Sequence, residues 1–246
     1  MSKTSQTGNA KNVANFQNLI SFCAGYGAAY NPSRDGLQVT NLQTLLSAAQ
    51  AALAGCQTKE TAFNNATHAR HDCFAPLKPL ATRIVNALAV SGVAHSVVED
   101  AKSINHKIQG KRATTPKPVT TTPQDGTTAA EPATISASQQ GFDNLVEHFN
   151  ALIELVSSHT EYNPNEDDLK VTALQTLLAQ LKSADTDVIN THTDWSNSRL
   201  DRDAILYAHT TGLVDTAIDV KAYIKSIFGA TSAQYKQISG IEFKNK

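Results

Sequence analysis

Charge is scarce in this chain of 246 residues: Asp, Glu, Lys and Arg together make up 17% of it, against roughly 25% in an average soluble protein. The 21 basic residues nearly balance the 22 acidic ones, for a net charge of −1. That balance excludes an extended basic nucleic-acid binder and an acidic disordered tail protein. Aromatic residues are few as well, at 6%. Three cysteines (Cys23, Cys56 and Cys73), an odd number and all in the first half, do not make a disulfide framework, and a reducing cytoplasm fits them best. No window approaches the roughly 18 to 20 consecutive apolar residues that cross a bilayer, so no membrane span is expected. Residues 1–12 are polar and lack the apolar stretch of a secretory signal, which again predicts a cytoplasmic protein.

Small side chains fill the gap left by charge. There are 34 alanines, 26 threonines and 18 serines, and hydrophobic residues reach 41%. A chain of this length and composition buries a real core under an unusually neutral surface.

The chain also repeats itself. At an offset of 132, Tyr30-Asn31-Pro32 falls on Tyr162-Asn163-Pro164, and between Tyr30 and Leu46 12 of 17 positions are identical. The same offset sets Phe63 over Trp195 and Arg70 over Arg202; after a shift to 137, Gly92 falls on Gly229 and Ile104 on Ile241. An internal duplication follows, with one unit at 1–109 and a second at 139–246. Between them, 110–138 holds four of the eight prolines and almost no large apolar side chain, as a Thr/Pro-rich linker would.

Within each unit the apolar residues recur at helical spacing. Steps of three and four from Val39 pass Leu42, Leu46, Ala49, Leu53, Cys56, Phe63 and Arg70; from Val171 they pass Leu174, Leu178, Leu181, Asp185, Val188, Trp195 and Arg202. This predicts long helices over 37–74 and 169–208, each about 55 to 60 Å long. A shorter apolar helix precedes each and stops before the proline; two more follow at 80–90 and 93–108, mirrored at 213–228 and 232–241. Pro76 and Pro79 break the first long helix, and Thr210-Thr211-Gly212 the second. The expected fold is all-α: two tandem antiparallel bundles of about four helices each, joined by the linker.

Chemistry is harder to find. His68, His71 and Cys73 make the most metal-like cluster, yet their counterparts are Leu200, Asp203 and Ile205, and no Glu-x-x-His pairing is present. The cysteines fall opposite Leu155, Val188 and Ile205, which marks them as small core hydrophobes. Gly25-Tyr26-Gly27 ends a helix, has no strand before it and lacks a dinucleotide fingerprint's third glycine. The run Lys102, His106, Lys107, Lys111, Arg112 and Lys117 lacks interleaved aromatics, so nucleic acid is not an expected partner. No catalytic, metal or cofactor residue is assigned, and a non-enzymatic protein is expected. Two pairs stand out. Arg70 and Arg202 each put a cation on an apolar stripe, either to pair with a carboxylate such as Asp72 or Asp203 or to contact an anion or partner. Phe63 and Trp195 are candidates to line an apolar pocket.

Near-neutrality hides a split. Residues 1–109 carry 9 basic and 5 acidic groups, net +4; residues 139–246 carry 9 and 15, net −6. Opposite charges on homologous units favour association, within one chain or head to tail between chains, and a head-to-tail contact that does not close builds a filament or lattice. The segments Thr211–Asp215, Val220–Lys225 and Phe228–Phe243 are similar to the tails of a family of small helical bacterial proteins, some of them tandem copies. That resemblance implies a bacterial, cytoplasmic, all-helical protein and no activity. The expected function is thus a structural or interaction protein that self-associates through neutral Ala/Ser/Thr-rich faces and opposite unit charges. The alternative is a small-molecule carrier or sensor, its ligand unassigned, with the pocket near Phe63 and Trp195.

Overall fold

The computed structural model describes residues 6–110 and 140–245. Among them every regular element is helical, with no strand: α1 (Gln6–Gly25), α2 (Val39–Phe74), α3 (Leu77–Val90), α4 (His95–Gln109), α5 (Phe142–Ser157), α6 (Val171–Tyr207), α7 (Leu213–Phe228) and α8 (Ala233–Ser239). No helix is long and apolar enough to cross a membrane. The expected linker at 110–138 lies, apart from Gly110, outside the described residues.

Helix boundaries follow local chemistry. The segments 26–38 and 158–170 are built alike: Tyr30 Oη donates to Leu37 O at 2.7 Å, and Tyr162 Oη to Leu169 O at 3.0 Å. All four residues are buried, so the Tyr-Asn-Pro motif anchors the turn that leads into each long helix. Burial pushes the Tyr162 hydroxyl up to about 12, so it stays a donor. Of the two prolines expected to break α2, only Pro76 stands at the break. Pro79 is the third residue of α3, where a backbone N–H has no partner within the helix, so its missing hydrogen costs nothing there. At the end of α6, Thr210 takes φ +69° and its N–H donates to Asp215 Oδ2 at 2.8 Å. Gly212 follows because a Cβ there would stand 2.6 Å from the backbone N and O of Ala208.

Two compact units form, and their limits differ from the units expected at 1–109 and 139–246. One unit joins residues 1–65 to 190–246; the other is 66–189. In the first, α1 packs on α7, α7 on α8, and Phe16, Leu19, Leu42, Leu213, Val220 and Ile224 fill the core. In the second, α5 packs on α3 and α4 around Phe149, Leu152, Ile84, Leu88, Leu174 and Leu181. Each core thus draws on both halves of the chain, and neither is the four-helix bundle of one copy. The long helices, of 36 and 37 residues, each serve one core with their first part and the other with their last.

Candidate functional site

Arg70 reaches across to a part of the chain that its own neighbourhood does not supply. Its Nη1 donates to Asp185 Oδ1 of α6 at 2.7 Å, and its guanidinium lies 4.0 Å from the centroid of the Phe142 ring at the start of α5. The two charged side chains are 18% and 14% exposed, so the pair is largely withdrawn from water. Next to Phe142, Asp143 shares a hydrogen bond with Asp185, and that bond, with the neighbouring negative charge, holds the Asp143 carboxyl above the usual carboxylate range. The Arg70 charge bonds Asp185 directly and favours the ionised form of Asp143 beside it. Of the two carboxylates expected for the arginines, Asp72 is not the partner described for Arg70, whereas Asp203 does receive Arg202, from Nε at 2.9 Å and Nη2 at 2.6 Å. Sequence reasoning passed over Asp185 although it stands on the apolar stripe of α6. A carboxylate on one stripe and an arginine on another was the available signal.

Phe63 and Trp195 do meet. Their rings stack at 5.5 Å with planes 16° apart, His192 approaches Phe63 edge-on at 5.3 Å, and the Arg199 guanidinium sits 5.3 Å from the Trp195 centroid. Around them α2 and α6 run antiparallel, as the pairing of Lys59 with Asp194 and the donation from Cys56 Sγ to Ser198 O, at 3.0 Å, both require. The aromatic rings fill each other's space here. Neither lines the two cavities described, which lie in the 66–189 unit.

Those cavities share Arg83 and its ion-pair partner's loop. The smaller, of about 330 Å³, lies between Pro76, Leu80, Asp168 and Leu177. The larger, about 620 Å³, is an open cleft over Asn86, Val90, Tyr162, Asn163 and Glu166. Its volume suits a small molecule. Its Tyr162 hydroxyl, however, is already committed to Leu169 O, and its rim is exposed, with Val90 at 86%.

Among the described residues no group of three His, Cys, Asp or Glu side chains is placed to hold a metal ion. His71, of the metal-like cluster, packs edge-on against Phe142 at 5.3 Å. Burial pushes the Cys23 thiol up to about 11, which keeps it protonated, and it raises Cys73 as well. Lys102 in the basic run pairs with Glu99 at 2.9 Å; Lys111, Arg112 and Lys117 lie outside the described residues.

No protein-family model, curated protein or solved structure matches the chain.

One surface of α2 differs in kind. Thr44, Ser47, Ala48, Ala51, Ala54, Gly55, Thr58 and Thr61 are all exposed, and their spacing places these uncharged residues on one face, bordered one turn past Gly55 by Lys59, which pairs with Asp194. The hydroxyls turn inward: Thr44, Ser47, Thr58 and Thr61 each donate to the carbonyl four residues earlier, at 2.9 to 3.1 Å. The result is a smooth surface whose donors are already used. At Gly55 a Cβ would meet nothing within 4 Å in this chain. A mid-helix glycine costs about 1 kcal/mol relative to alanine, and no packing within the chain explains it here.

Proposed function

We propose that the protein is a non-enzymatic interaction protein, a duplicated helical chain that associates with further copies of itself through the neutral face of α2. The observation that carries this reading is the surface of small uncharged residues from Thr44 to Thr61, with an open glycine at its margin. Small side chains let a second helix approach closely, and a face with no charge of either sign suits an identical face across a two-fold axis. The opposite charges of the two copies do not enter, because four cations of the first and four anions of the second are already paired within the chain. The face is about 26 Å long at 1.5 Å per residue and one helix wide, well short of a stable interface, so contact is weak and of micromolar to millimolar strength.

Gly55→Ala tests the reading because it pulls two quantities apart. In the isolated chain it raises stability by about 1 kcal/mol, since the position is open and helical. If α2 is the contact, the same methyl group holds the helices apart, and the association constant measured by light scattering falls several-fold. A variant that is more stable and associates as well as the parent would refute the proposal.

A further inference from the structure

Among the described residues, four ion pairs that link distant parts of the chain share one polarity. Arg34 with Asp219, Lys59 with Asp194, Arg70 with Asp185 and Arg83 with Asp168 each join a cation from residues 1–109 to an anion from residues 139–246. Two of these pairs are related to each other. The turns that carry Arg34 and Asp168 are the equivalent segments anchored by Tyr30 and Tyr162. Their helical partners are equivalent too: at an offset of 136, buried Leu77, Ala81, Ile84 and Leu88 of α3 match buried Leu213, Ala217, Val220 and Ile224 of α7, and Arg83 falls on Asp219. One turn bears the cation and its helix the anion. In the other the signs are exchanged.

The counterpart of Arg34 is Glu166, which lines the same cleft as Arg83 and adds to the negative charge around it. Arg34 in turn pairs with Asp219 at 2.5 Å and donates from Nη2 to Thr210 O at 3.2 Å, while Arg83 is held by both oxygens of Asp168. The consequence appears on exchanging partners. If residues 1–109 paired with a second copy of themselves in this same manner, Arg34 would face Arg83 at both sites. If residues 139–246 did so, Glu166 and Asp168 would face Asp219 at both.

We infer that the two repeats of this chain select each other and reject themselves, through a charge reversal at the equivalent turn-and-helix contacts Arg34–Asp219 and Asp168–Arg83. The inference rests on the reading of the chain as a duplication. All four side chains are at least 40% exposed, so the pairs add little to stability; their effect is on the choice of partner, where a like-charge contact replaces an attractive one. A reversal at one such site shifts that choice by roughly tenfold.

The test begins from the intact folded protein with a protease site placed within residues 111–139. After cleavage and dilution, native mass spectrometry reports which halves remain together. The expected result is a one-to-one complex of the N-terminal and C-terminal halves with no homodimer. Arg83→Asp reverses both preferences at once: it sets like charges against Asp168 and makes the N-terminal half compatible with itself through Arg34. Homodimers of that half are then expected, with the mixed complex weakened about tenfold. Arg83→Asp combined with Asp168→Arg brings the mixed complex back alongside homodimers of both halves, since every pairing is then attractive, and shows that the single variant did not merely unfold. Parent halves that exchange freely into homodimers, or an Arg83→Asp half that forms none, would overturn the charge selection alone. Halves that separate into folded monomers would overturn the reading that each core needs both halves.

Discussion

Removing the Arg70 side chain should be among the costlier single changes in the 66–189 unit. Arg70→Ala deletes a charge-assisted hydrogen bond to Asp185, of a kind worth about 1.5 to 3 kcal/mol, and a cation–π contact with Phe142 worth about 0.5 to 1 kcal/mol. It also leaves Asp185, 14% exposed, beside Asp143 without its cation. Allowing for residual exposure, a loss of about 2 to 3 kcal/mol is expected, which in a protein of this size lowers the unfolding midpoint by about 5 to 10 °C. The pH dependence adds a second check. Without the guanidinium, Asp143 loses the cation that favours its ionised form, so the loss should be greatest where Asp143 is ionised and shrink as acid protonates it. Thermal unfolding followed by circular dichroism between pH 4 and 7 measures both. A variant whose midpoint stays within about 1 °C of the parent, or whose loss does not change with pH, would refute this view of Arg70 as the cation that neutralises a carboxylate pair.

Two further outcomes follow from the same structure. Asp143 has its carboxyl raised in the fold, so its ionised form costs stability above the folded pKa and nothing below the unfolded one; Asp143→Asn should raise the unfolding midpoint at neutral pH, a gain that disappears on acidification through the carboxylate range. Cys23, buried and pushed up to about 11, should resist iodoacetamide at pH 8 in the folded protein and react once urea unfolds it, as peptide mass spectrometry would show.

The helices were legible because their signal is local. Apolar spacing and the Tyr-Asn-Pro turns put the long helices at 37–74 and 169–208, and the structure has them at Val39–Phe74 and Val171–Tyr207. The grouping of helices was not legible, since periodicity shows which face of α1 is apolar but not whether it will meet α3 or α7. Two clues pointed past the repeat boundary. Arg70 and Asp185 stood on apolar stripes as opposite charges 115 residues apart, and the first copy was positive where the second was negative. Read separately, these left open a partner within the chain or outside it; together they describe pairs formed within it. Phe63 and Trp195 carried a similar ambiguity, because two aromatic residues facing one interior either line a space or fill it, and here they stack. The neutral face of α2 was visible only as composition until burial separated its exposed Ala, Ser and Thr from those turned inward.

Sedimentation equilibrium of the intact chain, run from micromolar to about 1 mM at both low and high salt, bears most directly on the proposed association. With the long-range charges paired internally and α2 neutral, the weight-average mass should rise above 26.3 kDa with concentration, to a similar extent in both salts. A mass that stays at 26.3 kDa throughout, or one that rises only at low salt, would contradict it.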